Sequence, residues 1–189
     1  MKSETRNLIV NTASDLFYKN GYNLIGINKI IEEAGIAKAT LYSHFKSKED
    51  LCIAYLEAKD EELLKKLQSF CESKPAGNDR LLAVLEFLML FFEQGDFNGC
   101  WCIRTVAEIP RDNEEISQTI RNNKKQFLNF ITQLVKTNRT DLKEDEQKTL
   151  ARQIYLLYEG AVSESHLQGD AWPIEENIRL LKIILQSVV

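Results

Sequence analysis

Apolar residues recur every three or four positions through most of the chain, the spacing of helices with one buried face. Ile9, Ala13, Leu16 and Phe17 form the first such stripe, and Gly21 follows where a helix can end in a left-handed residue. Ile27, Ile30, Ile31 and Ala34 form a second, short stripe that Gly35 ends. Ile36, Leu41 and Phe45 resume the spacing at once, so a third short helix is predicted from Ala37 to Phe45, with Gly35 in a tight turn. Two short helices around such a turn are the layout of a helix-turn-helix. Ser47 then reads as the N-cap of a long helix, with Asp50 reaching back, running on to Phe70.

After a loop at Ser73–Asn78, nearly every residue from Leu81 to Phe92 is apolar, which predicts a central helix buried on all sides. A short helix is expected from Cys100 to Glu108, and Pro110 is placed in the first turn of the next. Asp141 with Glu144 reads as a capping box opening a helix that ends near Gly169. Its apolar face is Leu150, Ile154, Leu157, Tyr158 and Ala161. Pro173, with Glu175 and Glu176, opens the last helix. That helix carries a wide stripe of Ile174, Ile178, Leu181, Leu185 and Val188, thickened by Leu180 and Ile184. The fold class predicted is all-α: an N-terminal three-helix helix-turn-helix domain at 1–47, joined to a larger helical bundle at 48–189.

Composition supports this picture. Only eight Gly and three Pro interrupt 189 residues, and the hydrophobic fraction of 44% suits a folded core. The net charge of -4 does not by itself suggest a nucleic-acid partner. Its distribution does, since residues 1–48 carry +3 and the remainder -7. The four Cys (Cys52, Cys71, Cys100, Cys102) have no disulfide-framework spacing, and the polar start Met1–Arg6 lacks a signal-peptide core. No apolar run reaches the ~18 residues of a membrane span, and a cytoplasmic protein is expected. An enzyme is disfavoured, because there are two His, no Gly-rich phosphate loop, no nucleophile motif and no clustered metal ligands. No cofactor or metal is expected. His166 and Glu164, two apart on a helix, do not share a face.

The predicted third helix begins with small residues, Ala37 and Ala39, so its N-terminal end can approach a major groove closely. Lys38 and Thr40 offer a cation and a hydroxyl there, and Tyr42, His44 and Lys48 can each donate to a phosphate. Residues 6–56 resemble the DNA-binding domain of the TetR family of bacterial transcriptional regulators. The resemblance is carried by Phe17, Gly21-Tyr22, Ile27, Ile30, Ala34-Gly35-Ile36, Lys38, Thr40-Leu41-Tyr42, His44-Phe45 and Lys48-Glu49-Asp50-Leu51. It implies that Tyr42, His44 and Lys48 clamp the DNA backbone and that Asn28 and Lys29 lie near the groove edge. It also implies a homodimer through the last two helices, double-stranded operator DNA as partner, and a small-molecule effector that releases it. Gly26, Ala37 and Ala39 depart from the family pattern, which bears on the bases read rather than on DNA binding.

An effector pocket is expected among Phe87, Phe91, Trp101, Tyr155 and Tyr158, suited to an apolar or aromatic molecule. The alternative is a thiol route, in which Cys100, in Cys100-Trp101-Cys102, senses oxidants or electrophiles near a helix N-terminus. A further alternative is an all-helical interaction protein with no DNA role.

Overall fold

The computed structural model describes residues 2–187, with side chains from residue 4 onward; Val188, the last member of the stripe predicted for the final helix, lies outside the described residues. Nine helices are found among these residues, and no strand. They are α1 (Lys2–Asn20), α2 (Ile27–Ala34), α3 (Lys38–Tyr42), α4 (Lys48–Glu72) and α5 (Asn78–Glu93), followed by α6 (Trp101–Glu108), α7 (Glu114–Asn138), α8 (Glu144–Gln168) and α9 (Trp172–Ser187). The fold is all-α, as expected.

The chain forms two compact units. The first holds the residues through Glu62 together with Trp101–Asn123, and the second holds Leu63–Cys100 with the residues from Lys124 on. The long helices α4 and α7 therefore each contribute to both units.

In the first unit the predicted stripes supply the core. Ile9, Ala13 and Phe17 of α1, Ile30 of α2, Leu41 of α3, Phe45, and Leu51 and Tyr55 of α4 are all buried. Burying a large apolar side chain of this kind is worth roughly 1.5–3 kcal/mol, so the short helices α2 and α3 are held by packing rather than by intrinsic propensity. Phe17 sits between Tyr22 and Tyr55, with ring centroids 5.4 and 5.6 Å away.

In the second unit α5, α8 and α9 pack on one another. Leu81, Leu85 and Leu88 meet Ile154, Tyr158 and Ala161 of α8 and Ile174, Leu181 and Leu185 of α9 in one buried cluster. Phe127, Ile131 and Val135 of α7 complete it.

Four local expectations are corrected. Helix α5 is not buried all round: Leu90 is 44% exposed and Phe87 and Phe91 are half-buried, because its neighbours cover only one broad face. Pro110 lies outside α7, in a turn closed by the Asn113 N–H donating to its carbonyl at 3.0 Å. Asn113 is the cap, its side chain accepting from the Ile116 N–H at 3.1 Å. The cap of α8 is Lys143, whose N–H donates to Glu146 at 2.8 Å; Asp141 is instead held by Arg139 at 2.7 Å. Helix α3 stops at Tyr42 rather than Phe45, because His44 N–H turns back to the Leu41 carbonyl at 3.0 Å, a three-residue step.

The cap of α4 forms as its sequence predicts. Asp50 N–H donates to Ser47 Oγ at 3.0 Å, and the Asp50 carboxylate accepts from Lys46 N–H at 3.0 Å.

Candidate functional site

The first unit fixes a short helix by a minimum of local devices. Gly35 takes φ 63, ψ 34, a left-handed conformation that a side chain would strain. The Ile36 N–H then donates to the Ile31 carbonyl at 3.2 Å, closing the end of α2 and starting α3 two residues later. Leu41, fully buried, and Phe45, nearly so, point α3 inward. Lys38, Ala39 and Tyr42 are thereby left on the outside, with Tyr42 45% exposed and Thr40 half-buried between them. His44 is half-buried in the turn after α3. Asn28 and Lys29 are exposed on the first turn of α2, which Gly26 begins without a side-chain cap. The structure thus gathers Asn28, Lys29, Lys38, Ala39, Thr40, Tyr42 and His44 on two consecutive short helices and the turn that follows them.

The cations of this unit differ in what surrounds them. Lys29 is shared between Glu32 and Glu33, at 3.5 and 3.3 Å, and these partners raise its pKa. The Lys48 ammonium lies 4.1 Å from the Tyr22 ring centroid and 6.0 Å from that of Phe17, and burial lowers its pKa. The arginine Arg6 of α1 lies over Phe45, 5.1 Å from the ring centroid.

Helix α6 is fastened to the α1–α2 connection. Asn23 N–H donates to Glu108 Oε2 at 2.7 Å, and Asn23 Nδ2 donates to the Glu108 carbonyl at 2.7 Å. Arg104 Nη1 donates to the Tyr18 carbonyl at 2.6 Å, and Trp101 meets the Tyr18 ring edge-on at 6.3 Å. Residues 85 or 86 positions apart make these bonds, so no local pattern could have announced Asn23, Arg104 or Glu108.

The five expected pocket residues and Cys100 are not gathered in one unit. Trp101 belongs to the first and the other five to the second. There Phe87 packs on Phe70, Phe91 on Phe97, and Tyr155 and Tyr158 both on Phe127. A groove of about 550 Å³ in the second unit runs between α4 and α7, lined in part by Leu64, Gln68, Gln126, Phe130, Gln133 and Leu134, and none of the six reaches it.

The thiols also differ. Cys52, Cys71 and Cys102 are buried, and burial pushes the Cys52 and Cys71 pKa values up to about 12. Cys100 is half-buried just before α6, and Lys124 Nζ donates to its Sγ at 3.2 Å. The same ammonium binds both oxygens of Glu159, at 2.7 and 2.6 Å. Lys124 and Glu159 lie 24 and 35 residues from their partners, beyond the reach of a sequence motif. Among the described residues no group of three His, Cys, Asp or Glu is placed to hold a metal ion, and no helix is long and apolar enough to cross a membrane.

Comparison with known proteins agrees with this arrangement. Residues 9–55 match the family described as bacterial regulatory proteins, tetR family, and residues 77–181 match the tetracyclin repressor-like C-terminal domain. The fatty acid metabolism regulator protein of Bacillus subtilis is 29% identical over 150 residues, covering 77% of this chain and 75% of its own length. The transcriptional repressor NemR of Escherichia coli is 23% identical over 191 residues, covering 97% and 95%. A TetR-family regulator from Streptomyces coelicolor superposes with TM-score 0.86 at 27% identity, over 98% of this chain and 96% of that one. The reduced form of NemR gives a TM-score of 0.82 at 21% identity, over 95% of each chain. With the two family models together spanning most of the sequence, the chain belongs to the TetR family of DNA-binding transcriptional regulators.

Proposed function

We propose that the protein is a cytoplasmic, homodimeric repressor without catalytic activity. It grips double-stranded operator DNA through α2 and α3 and is released by a small-molecule effector bound in the second unit. The observation that carries this reading is the outward face of α3, where Lys38, Ala39 and Tyr42 stand exposed over a buried Leu41. The small Ala39 lets the helix approach base edges, Lys38 reads them, and Tyr42 and His44 donate to phosphates.

Dimerisation is supported by apolar residues that the chain leaves uncovered. Leu156 and Leu167 of α8 are 66% and 74% exposed, and Leu180 and Ile183 of α9 are 46% and 62% exposed. A two-fold pairing would cover them and set two α3 helices about 34–36 Å apart, one turn of DNA. An effector that favoured another separation would lower DNA affinity by its own difference in affinity for the two states. The half-buried rings of the second unit suit an apolar or aromatic effector.

Selection of bound duplexes from random DNA tests the core of this reading. Enrichment of a palindrome supports it. Failure to enrich any palindrome would return the protein to the class of helical interaction modules.

A second route of release is favoured by the Lys124 contact on Cys100. The Cys100 sulfur, facing an ammonium that Glu159 shares, can add as thiolate to an activated alkene, the sulfur–carbon bond forming as the alkene π bond breaks and the thiol proton ending, by way of solvent, on the other alkene carbon. Cys100→Ser separates the routes. If an electrophile releases the wild-type protein and the Cys100→Ser variant equally, the thiol route is refuted.

A further inference from the structure

Two of the cations expected at the DNA are engaged within the chain. Lys29 is paired with Glu32 and Glu33, and the Lys48 ammonium rests on the Tyr22 ring. Arg6, on α1 and outside the helix-turn-helix itself, is in the opposite condition. It is exposed, and its guanidinium lies 5.1 Å from the centroid of Phe45. No hydrogen bond or ion pair engages its N–H groups among the described residues.

A guanidinium held over a ring has less rotational freedom left to lose, and its N–H groups stay available to an anion. The ring beneath it is nearly fully buried and directly follows His44, so it cannot drift from the end of α3. Its backbone N–H donates to the Leu41 carbonyl at 3.0 Å, which ties the stacked pair to the recognition helix. A planar fork of unpaired donors, held rigidly beside that helix, matches a phosphodiester oxygen pair.

We infer that Arg6 is a DNA-binding residue, a phosphate contact preset by Phe45 in the turn after α3. The inference rests on the reading of α3 as the DNA-reading helix. It adds a backbone contact from α1 that the motif alone does not supply.

The test uses the full chain and the duplex enriched from random DNA, alongside a scrambled duplex, with affinity measured from 50 to 200 mM salt. Each phosphate contact contributes about 0.9 to the slope of log affinity against log salt, or about 3.5-fold over that range. Arg6→Ala should flatten the slope by about that amount per protomer, equally on both duplexes, while Arg6→Lys keeps the slope. Arg6→Gln, which retains a polar stem, should behave as Arg6→Ala and guards against loss of folding in the smaller variant.

An unchanged slope in both neutral variants overturns the inference, even if affinity falls, because a structural role lowers affinity without releasing counterions. Lys38→Ala and Tyr42→Phe identify a different failure. If they too leave binding unaltered, or if the wild-type protein binds no duplex, the reading of α3 falls and takes Arg6 with it.

Discussion

Replacing Gly21 with alanine probes the joint between α6 and the α1–α2 connection. Gly21 has φ 91, and a Cβ built there would lie 2.6 Å from Glu108 Oε1 and 3.1 Å from Oε2. Two costs follow. Holding an L-residue in the left-handed region costs roughly 1–2 kcal/mol. The Glu108 carboxylate must also retreat, and the bond it accepts from Asn23 N–H at 2.7 Å is then broken. A hydrogen bond to a charged group is worth about 1.5–3 kcal/mol in protected surroundings; with Asn23 exposed, about 1 kcal/mol is the better figure. The sum, about 2–3 kcal/mol, corresponds to a fall of about 4–12 °C in Tm for a chain of this size. Trp101 reports on this unit because it stacks edge-on against Tyr18, so urea unfolding is followed by its fluorescence in a Trp172→Phe background. The decisive comparison is the cycle with Glu108→Ala. Because Gly21→Ala already breaks the Asn23 bond, the double variant should be about 1 kcal/mol more stable than the two single losses predict. Strict additivity, or a loss under about 0.5 kcal/mol for Gly21→Ala, would refute the steric account.

Three further outcomes follow from other parts of the structure. Under native conditions at pH 8, iodoacetamide should label Cys100 first, with Cys52 and Cys71 protected by burial and by pKa values near 12; mass spectrometry showing equal labelling would contradict this. Leu156→Asp with Ile183→Asp should yield helical monomers without operator binding by sedimentation, since both residues are exposed within the chain; a dimer that persists would exclude this face. Charges at Leu181 or Leu185 are expected to unfold the second unit instead, because both are buried within it. Asp141 has its pKa lowered by the hydrogen bonds from Arg139, so its stabilising contribution is present above the ordinary carboxylate range and is lost as pH falls through the lowered value. Asp141→Asn should therefore show a shallower loss of Tm below about pH 4, and an unchanged acid limb would show the pair to be without effect.

Much of the first unit was legible in the sequence because its determinants are local. The stripe Ile9, Ala13 and Phe17, the glycine ends at Gly21 and Gly35, and the Ser47–Asp50 cap each act within a few residues. The exposed face of α3 follows from Leu41 and Phe45, whose burial turns Lys38, Ala39 and Tyr42 outward. Local competition is also where boundaries shifted. Asp141 looked like a cap until Arg139 held it, and Pro110 looked like a first turn until Asn113, three residues further on, took the cap.

Periodicity records that a face is apolar, but it carries no address for the surface that covers it. The wide stripe of α9 illustrates this: tertiary packing buried Ile174, Leu181 and Leu185 against α5 and α8 and left Leu180 outside, beside Ile183, which the stripe did not include. The same holds for charge. The sequence placed Lys48 and Lys29 near the DNA and gave Arg6 no role, and only the folded chain laid the first on Tyr22, gave the second to two glutamates and set Arg6 over Phe45. The clasp of Glu108 on Asn23 and the Cys100–Lys124–Glu159 cluster join residues 24 to 85 positions apart. Helical patterns determined which segments fold and how they turn. Which side chains meet across those segments was decided by three-dimensional packing, because contact energies fall off within a few ångströms while sequence distance imposes no such limit.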